Sequence, residues 1–216
     1  MRRLLELLYP KRAVCMGCGS PAGCREDWVC PECRQALAER WVGAALAPEG
    51  IDGAAYGYVY SGPVAGIVSR MKYDGVHRLC QFMAEDMVRA FRFIEPTGVD
   101  LVTFVPMHPA RQRQRGYNHA ELIARACAEA LGLPCEMTVS RVRDTPQQAR
   151  LEAGERRENL KDAFTCLQPL SGRKVLLIDD VCTTGATARG CAEALKKAGA
   201  ERVYLLCYAQ ARGKQE

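Results

Sequence analysis

The spacing of apolar and polar positions divides the chain into segments with two different periods. Within 51–61, the run AAYGYVYS alternates small and aromatic residues and predicts a strand or hairpin. In GPVAGIVSRMKYDG the apolar residues Val64, Ile67, Val68 and Met71 fall at helical spacing, with Lys72 next to Tyr73 just beyond them. A second helix, about Arg78 to Phe93, carries Leu79, Phe82, Met83, Met87 and Val88 on one side. LVTFVP, Leu101 to Pro106, is a short apolar run bounded by Asp100 and Pro106, which suits a buried parallel strand. A basic loop follows, and then an amphipathic helix that begins near Asn118 and is ended by Gly132 and Pro134. Near the C-terminus, KVLLIDD reads as a strand, TARGCAEALKKAGA as a helix and VYLLCYA as another strand. Ala188, Cys191, Ala192 and Leu195 share one face of that helix, and Gly199 suits its C-terminal cap. Strand, helix and strand in succession predict the α/β class, a parallel sheet flanked by helices. The polar, charged stretch from Ser140 to Phe164 has no sustained period and reads as a long excursion from the core.

Composition adds a second unit. Of twelve cysteines in 216 residues, five fall in CMGCGSPAGCREDWVCPEC, Cys15 to Cys33, and the others are scattered among apolar residues. Cys15 with Cys18 and Cys30 with Cys33 form two CxxC pairs, with Gly17, Gly19, Pro21 and Pro31 supplying tight turns. That spacing brings four thiolates to one tetrahedral Zn²⁺ from a segment too short to build a core, and it leaves no open coordination position for catalysis. Cys24 is read as a bystander. We therefore expect a zinc module over residues 1–50 and the α/β domain over 51–216. The start MRRLLELLYP lacks the apolar length of a signal peptide, so the thiols are expected to be reduced and the protein cytoplasmic. No stretch reaches 18 apolar residues, which excludes a membrane-spanning helix as an expectation. Thirty Lys and Arg against twenty-five Asp and Glu give a charge of +5, compatible with anionic ligands without requiring nucleic acid.

The chemistry centres on VLLIDDVCTTGAT, Val175 to Thr187. In a parallel α/β sheet, ligands sit beyond the carboxyl ends of the strands, where Asp179 and Asp180 are expected. Cys182 to Thr187 then offer backbone N–H groups at a helix N-terminus, the hydroxyls of Thr183, Thr184 and Thr187, and Gly185 for an unusual backbone conformation. These are the parts of a monophosphate cradle. Carboxylates accept hydrogen bonds from a diol, so a ribose 5-phosphate fits both halves. A Walker B reading fails because GxxxxGK[ST] is absent, and a DxD phosphotransferase reading fails because Val181 and Cys182 follow Asp180. Of the three histidines, His77, His108 and His119, only His108 is expected near this site.

VLLIDDVCTTGAT resembles the phosphoribosyl pyrophosphate (PRPP) motif of type I phosphoribosyltransferases. With the paired CxxC, MKYDG, VPMHPARQRQRGYNHAELIARACAEALGLP and TPQQARLEAGERRENLKDAF, nearly the whole chain resembles the ComF/GntX family in order. The resemblance implies a type I phosphoribosyltransferase-like domain behind an N-terminal zinc ribbon. It implies that Asp179 and Asp180 hold ribose hydroxyls while Thr183 to Thr187 wrap the 5-phosphate. Magnesium would accompany PRPP, and Lys72, Arg111, Arg113 and Arg115 would face the pyrophosphate, with Lys72 and Arg115 in catalytic roles. The excursion, with Arg141, Arg150, Arg156 and Arg157, would close as a lid. The implied role is in natural competence and uptake of single-stranded DNA, with that DNA and competence helicase-type proteins as partners. The rival expectation is a module that binds nucleic acid or a protein partner without turnover and uses PRPP as a regulatory ligand. Thr183 stands where purine-salvage members carry an acid, which weakens the case for a purine acceptor.

Overall fold

The computed structural model describes residues 14–21, 28–73, 78–94, 98–108, 112–113, 116–142 and 163–211. Along the chain these form α1 (Pro31–Ala38), β1 (Trp41–Ala45), β2 (Gly53–Val59), α2 (Pro63–Tyr73), α3 (Leu79–Phe91), β3 (Leu101–Phe104), α4 (His119–Leu131), β4 (Val139–Arg141), β5 (Phe164–Cys166), β6 (Lys174–Cys182), α5 (Ala186–Lys197) and β7 (Arg202–Gln210). The main sheet has the order β1-β2-β7-β6-β3, with β1 antiparallel to β2 and every other neighbour parallel. β4 and β5 pair antiparallel as a separate two-stranded ribbon, so the two ends of the expected excursion are joined to each other. The segment between them, 143–162, with Arg150, Arg156 and Arg157, lies outside the described residues.

Strand β6 shows why the apolar runs carry no alternation: both of its faces are covered. Val175 and Leu177 pack with Cys191, Ala192 and Leu195 of α5 on one face, while Leu176 and Ile178 pack with residues of α3 and α4 on the other. All four strand residues are fully buried, as a parallel sheet between two helical layers requires. The helix ends follow the local chemistry of the sequence. Asn118 caps α4 by accepting the Ala120 N–H at 3.1 Å, and Gly132 closes that helix in the left-handed region at φ 68°.

The cysteine segment is joined to this core. Cys15, Met16, Val29, Cys30, Cys33 and Leu37 belong to the same buried cluster as Val64, Ile67, Val68 and Met71 of α2. Gly66 makes the approach possible, since a Cβ there would lie 1.9 Å from the Gly17 carbonyl oxygen. Arg70, one helical turn on, donates Nη1 to the carbonyls of Met16 (3.0 Å) and Gly17 (3.3 Å). Strand β1, on the N-terminal side of the expected boundary at residue 50, adds to the edge of the main sheet.

Candidate functional site

β6 runs two residues past the acidic pair, so Asp179 and Asp180 are strand residues near its carboxyl end rather than the first residues of a loop. Successive side chains of a strand point to opposite faces, and the pair is divided accordingly. Asp180 turns toward the layer of α2 and α4 and is only 4% exposed. Its Oδ2 lies 2.5 Å from Lys72 Nζ and 3.1 Å from His119 Nε2, and its Oδ1 accepts the Val181 N–H at 2.6 Å. Asp179 is half-buried, its Oδ1 accepting the Asp180 N–H at 2.9 Å. Burial opposes the charge on both groups. For Asp180, Lys72 and His119 outweigh burial and hold the carboxyl well below the usual range. At Asp179, burial and the Asp180 charge act together and push the carboxyl well above it. Lys72 is lowered by burial but raised more by Asp180, and its ammonium is held above the ordinary lysine value.

His119 corrects the expectation that His108 alone lies near the site: it is the first residue of α4, only 8% exposed, and faces the acidic strand. The sequence signal was the Asn cap just before it, which places His119 at the end of α4 that meets the sheet edge. Tyr117 was also overlooked; its hydroxyl donates to the carbonyls of Met71 (3.0 Å) and Lys72 (3.2 Å), holding the last turn of α2.

Beyond β6, Thr183 and Thr184 are exposed, Thr187 is half-buried, and Gly185 and Ala186 are buried. Gly185 is the N-cap of α5 at φ 74°, with no side-chain cap, while Thr184 Oγ1 accepts the Ala186 N–H at 3.4 Å. A Cβ at Gly185 would stand 2.8 Å from Pro48, so both the backbone conformation and the space demand glycine. With no cap from Gly185 itself, the first turn of α5 beyond Ala186 presents N–H groups beside exposed hydroxyls, an arrangement suited to an anion. Of the expected cations, Arg113 is exposed, and Arg111 and Arg115 lie outside the described residues. Arg141 sits 5.7 Å from the Phe164 ring at the base of the excursion.

At the other end of α2, the Sγ atoms of Cys15, Cys18, Cys30 and Cys33 all lie within 4.8 Å of one another. Tetrahedral zinc with bonds of about 2.3 Å needs sulfurs roughly 3.8 Å apart, and Cys18 and Cys30 stand at 3.9 Å. The donor set fits a metal such as zinc. The Cys30 N–H donates to Cys15 Sγ at 3.2 Å. At Cys15, burial opposes a thiolate, but N–H groups of Cys18, Cys30 and Gly17 outweigh it and bring the thiol down to about 6. Burial and the neighbouring sulfurs push Cys33 far up, so a cation is what allows four thiolates to coexist. Cys24 lies outside the described residues.

A family model described as "Phosphoribosyl transferase domain" matches residues 118–216. DNA utilization protein YhgH of Salmonella typhi is 28% identical over 200 residues, covering 90% of this chain and 83% of that one. Competence protein F of Haemophilus influenzae is 31% identical over 163 residues, 70% of each chain. Competence protein ComFC of Bacillus subtilis is 25% identical over 205 residues, 91% of this chain and 83% of the other. These likenesses reach well beyond the transferase domain into the half of the chain that precedes it, and the protein belongs to the ComF family.

Proposed function

We propose that this phosphoribosyltransferase-like, competence-related protein binds PRPP with magnesium at the carboxyl edge of β6. The observation that carries the reading is the sequence of parts along one strand and turn: two carboxylates, then exposed threonine hydroxyls, then an uncapped helix N-terminus opened by Gly185. Thr183, Thr184, Gly185, Ala186 and Thr187 hold the 5-phosphate through hydroxyls and N–H groups. The acidic pair forms the ribose side of the site, and Lys72, held against Asp180, stands where a cation can meet the diphosphate. Magnesium, when bound with PRPP, neutralises diphosphate charge. Transfer to an acceptor would proceed through an oxocarbenium-like state, with Lys72 and Arg115 offsetting the charge on departing pyrophosphate. The relatives named as competence proteins support a role in natural competence, which we extend to uptake of single-stranded DNA into the cytoplasm.

A second reading, PRPP as a regulatory ligand of a DNA- or partner-binding module without turnover, is favoured by one observation. Thr183 is exposed at the mouth of the cradle and supplies no carboxylate there. Thermal melting with saturating magnesium and PRPP tests the shared core of both readings. At a hundred times Kd, binding adds about 2.7 kcal/mol, which raises Tm by several degrees. An unchanged Tm under those conditions contradicts both. Pyrophosphate release on adding candidate acceptors then separates enzyme from binding module. Salt-sensitive binding of single-stranded DNA, weakened by replacing Arg111, Arg113 and Arg115, supports the second.

A further inference from the structure

Three consecutive residues at the start of α4 join three elements that are distant in the chain. Tyr117 donates its hydroxyl to the last carbonyls of α2, at Met71 and Lys72. Asn118 donates Nδ2 to the Val105 carbonyl just past β3 at 3.2 Å while its Oδ1 caps α4. His119 places Nε2 against Asp180 of β6. The last turn of α2, the end of β3 and the end of β6 are thus held together from one point.

Asp180 is the member of the acidic pair caught in this junction. Its Oδ1 accepts the Val181 N–H, its Oδ2 lies within ion-pair distance of both Lys72 and His119 without an aligned hydrogen bond, and the residue is all but closed to solvent. Asp179 faces the opposite layer and is the more exposed of the two.

We infer that the acidic pair is divided in its work: Asp179 meets the ribose hydroxyls, while Asp180, braced by His119, is a positioning residue that fixes the Lys72 ammonium at the ligand edge. This rests on the PRPP reading for its ligand, but the bracing itself is testable without any ligand. Removing His119 frees the carboxylate to rotate and lets Lys72 leave its place, whereas removing Asp179 leaves Lys72 where it is.

Two measurements decide it. Limited acetylation of the folded chain, read lysine by lysine by mass spectrometry, compares Lys72 with the exposed Lys197 as an internal reference. Lys72 is expected to be the slower in the wild type. Its relative rate should rise several-fold in Asp180→Asn and His119→Ala, fall back toward wild type in His119→Gln, which keeps an N–H donor, and stay unchanged in Asp179→Asn. Calorimetry with magnesium and PRPP supplies the second readout: His119→Ala should bind roughly tenfold more weakly, about 1.4 kcal/mol. His119→Gln should recover most of that loss, and His119→Ala combined with Lys72→Ala should lose no more than Lys72→Ala alone. Labelling of Lys72 that ignores His119, or additive losses in the double variant, would overturn the inference. Absence of PRPP heat from the wild type would instead contradict the function reading, while the labelling pattern still decides the bracing.

Discussion

Two carboxylates side by side at the end of a covered strand strain the folded state, and Asp179 bears the larger share because, among the described residues, no cation pairs with it as closely as Lys72 pairs with Asp180. Asp179→Asn should therefore raise Tm at neutral pH, on the scale of about 2–4 °C for each kcal/mol recovered, while weakening PRPP binding. The pH dependence has a definite sign. Asp179, raised in the folded state, takes up a proton there before it would in the unfolded chain, so acidification from neutral toward the ordinary carboxylate range relieves its penalty. Asp180, depressed in the folded state, contributes stability that is present above its unfolded value and is lost only at lower pH. The advantage of Asp179→Asn should accordingly be greatest near neutrality and shrink as pH falls, a difference that paired melting curves across this range will show. From sequence, the pair read as a joint diol clamp. What could not be read was the partner of each carboxylate, because Lys72 and His119 reach Asp180 across long separations that local periodicity does not encode.

Helix α2 connects the two ends of the molecule that matter. Gly66 and Arg70 grip the cysteine knuckle through the Gly17 and Met16 carbonyls, and Lys72, two residues after Arg70, lies on Asp180. Glycine inside a helix costs about 1 kcal/mol relative to alanine in isolation, yet here the alanine methyl would run into the Gly17 backbone. Gly66→Ala should destabilise the protein by about 1–3 kcal/mol, measured by denaturant unfolding; a neutral or stabilising result would refute the packing argument. Gly185→Ala combines an unfavourable φ with a collision at Pro48, and it should disturb the cradle along with stability. Most elements were legible in the pattern: α4 between its Asn cap and Gly132, α5 with its apolar face, and the buried strands. β1 was not, since WVGAA is short and interrupted by Gly43 at φ 78°. Nor was the β4–β5 ribbon, whose three-residue strands are too brief for alternation to register and owe their pairing to tertiary context.

For the whole molecule, the cysteine segment and the sheet share one buried cluster, so metal binding and domain stability should be linked. Chelation of the metal, or Cys33→Ser, is expected to lower Tm, and zinc content per chain should fall in parallel; an unchanged Tm after complete metal removal would show the segment to be energetically separate. The family and the α/β class were legible because motifs recur in order along nearly the whole chain. The route from the knuckle to the ligand edge through α2 emerged only from the packing. The central claim is that the carboxyl edge of β6 binds PRPP. Isothermal titration of magnesium and PRPP into the wild-type protein and into the Asp179→Ala, Asp180→Ala double variant tests it most directly. Saturable heat in the wild type and its loss in the folded double variant is the expected result; equal heats from both, or none from the wild type, would contradict it.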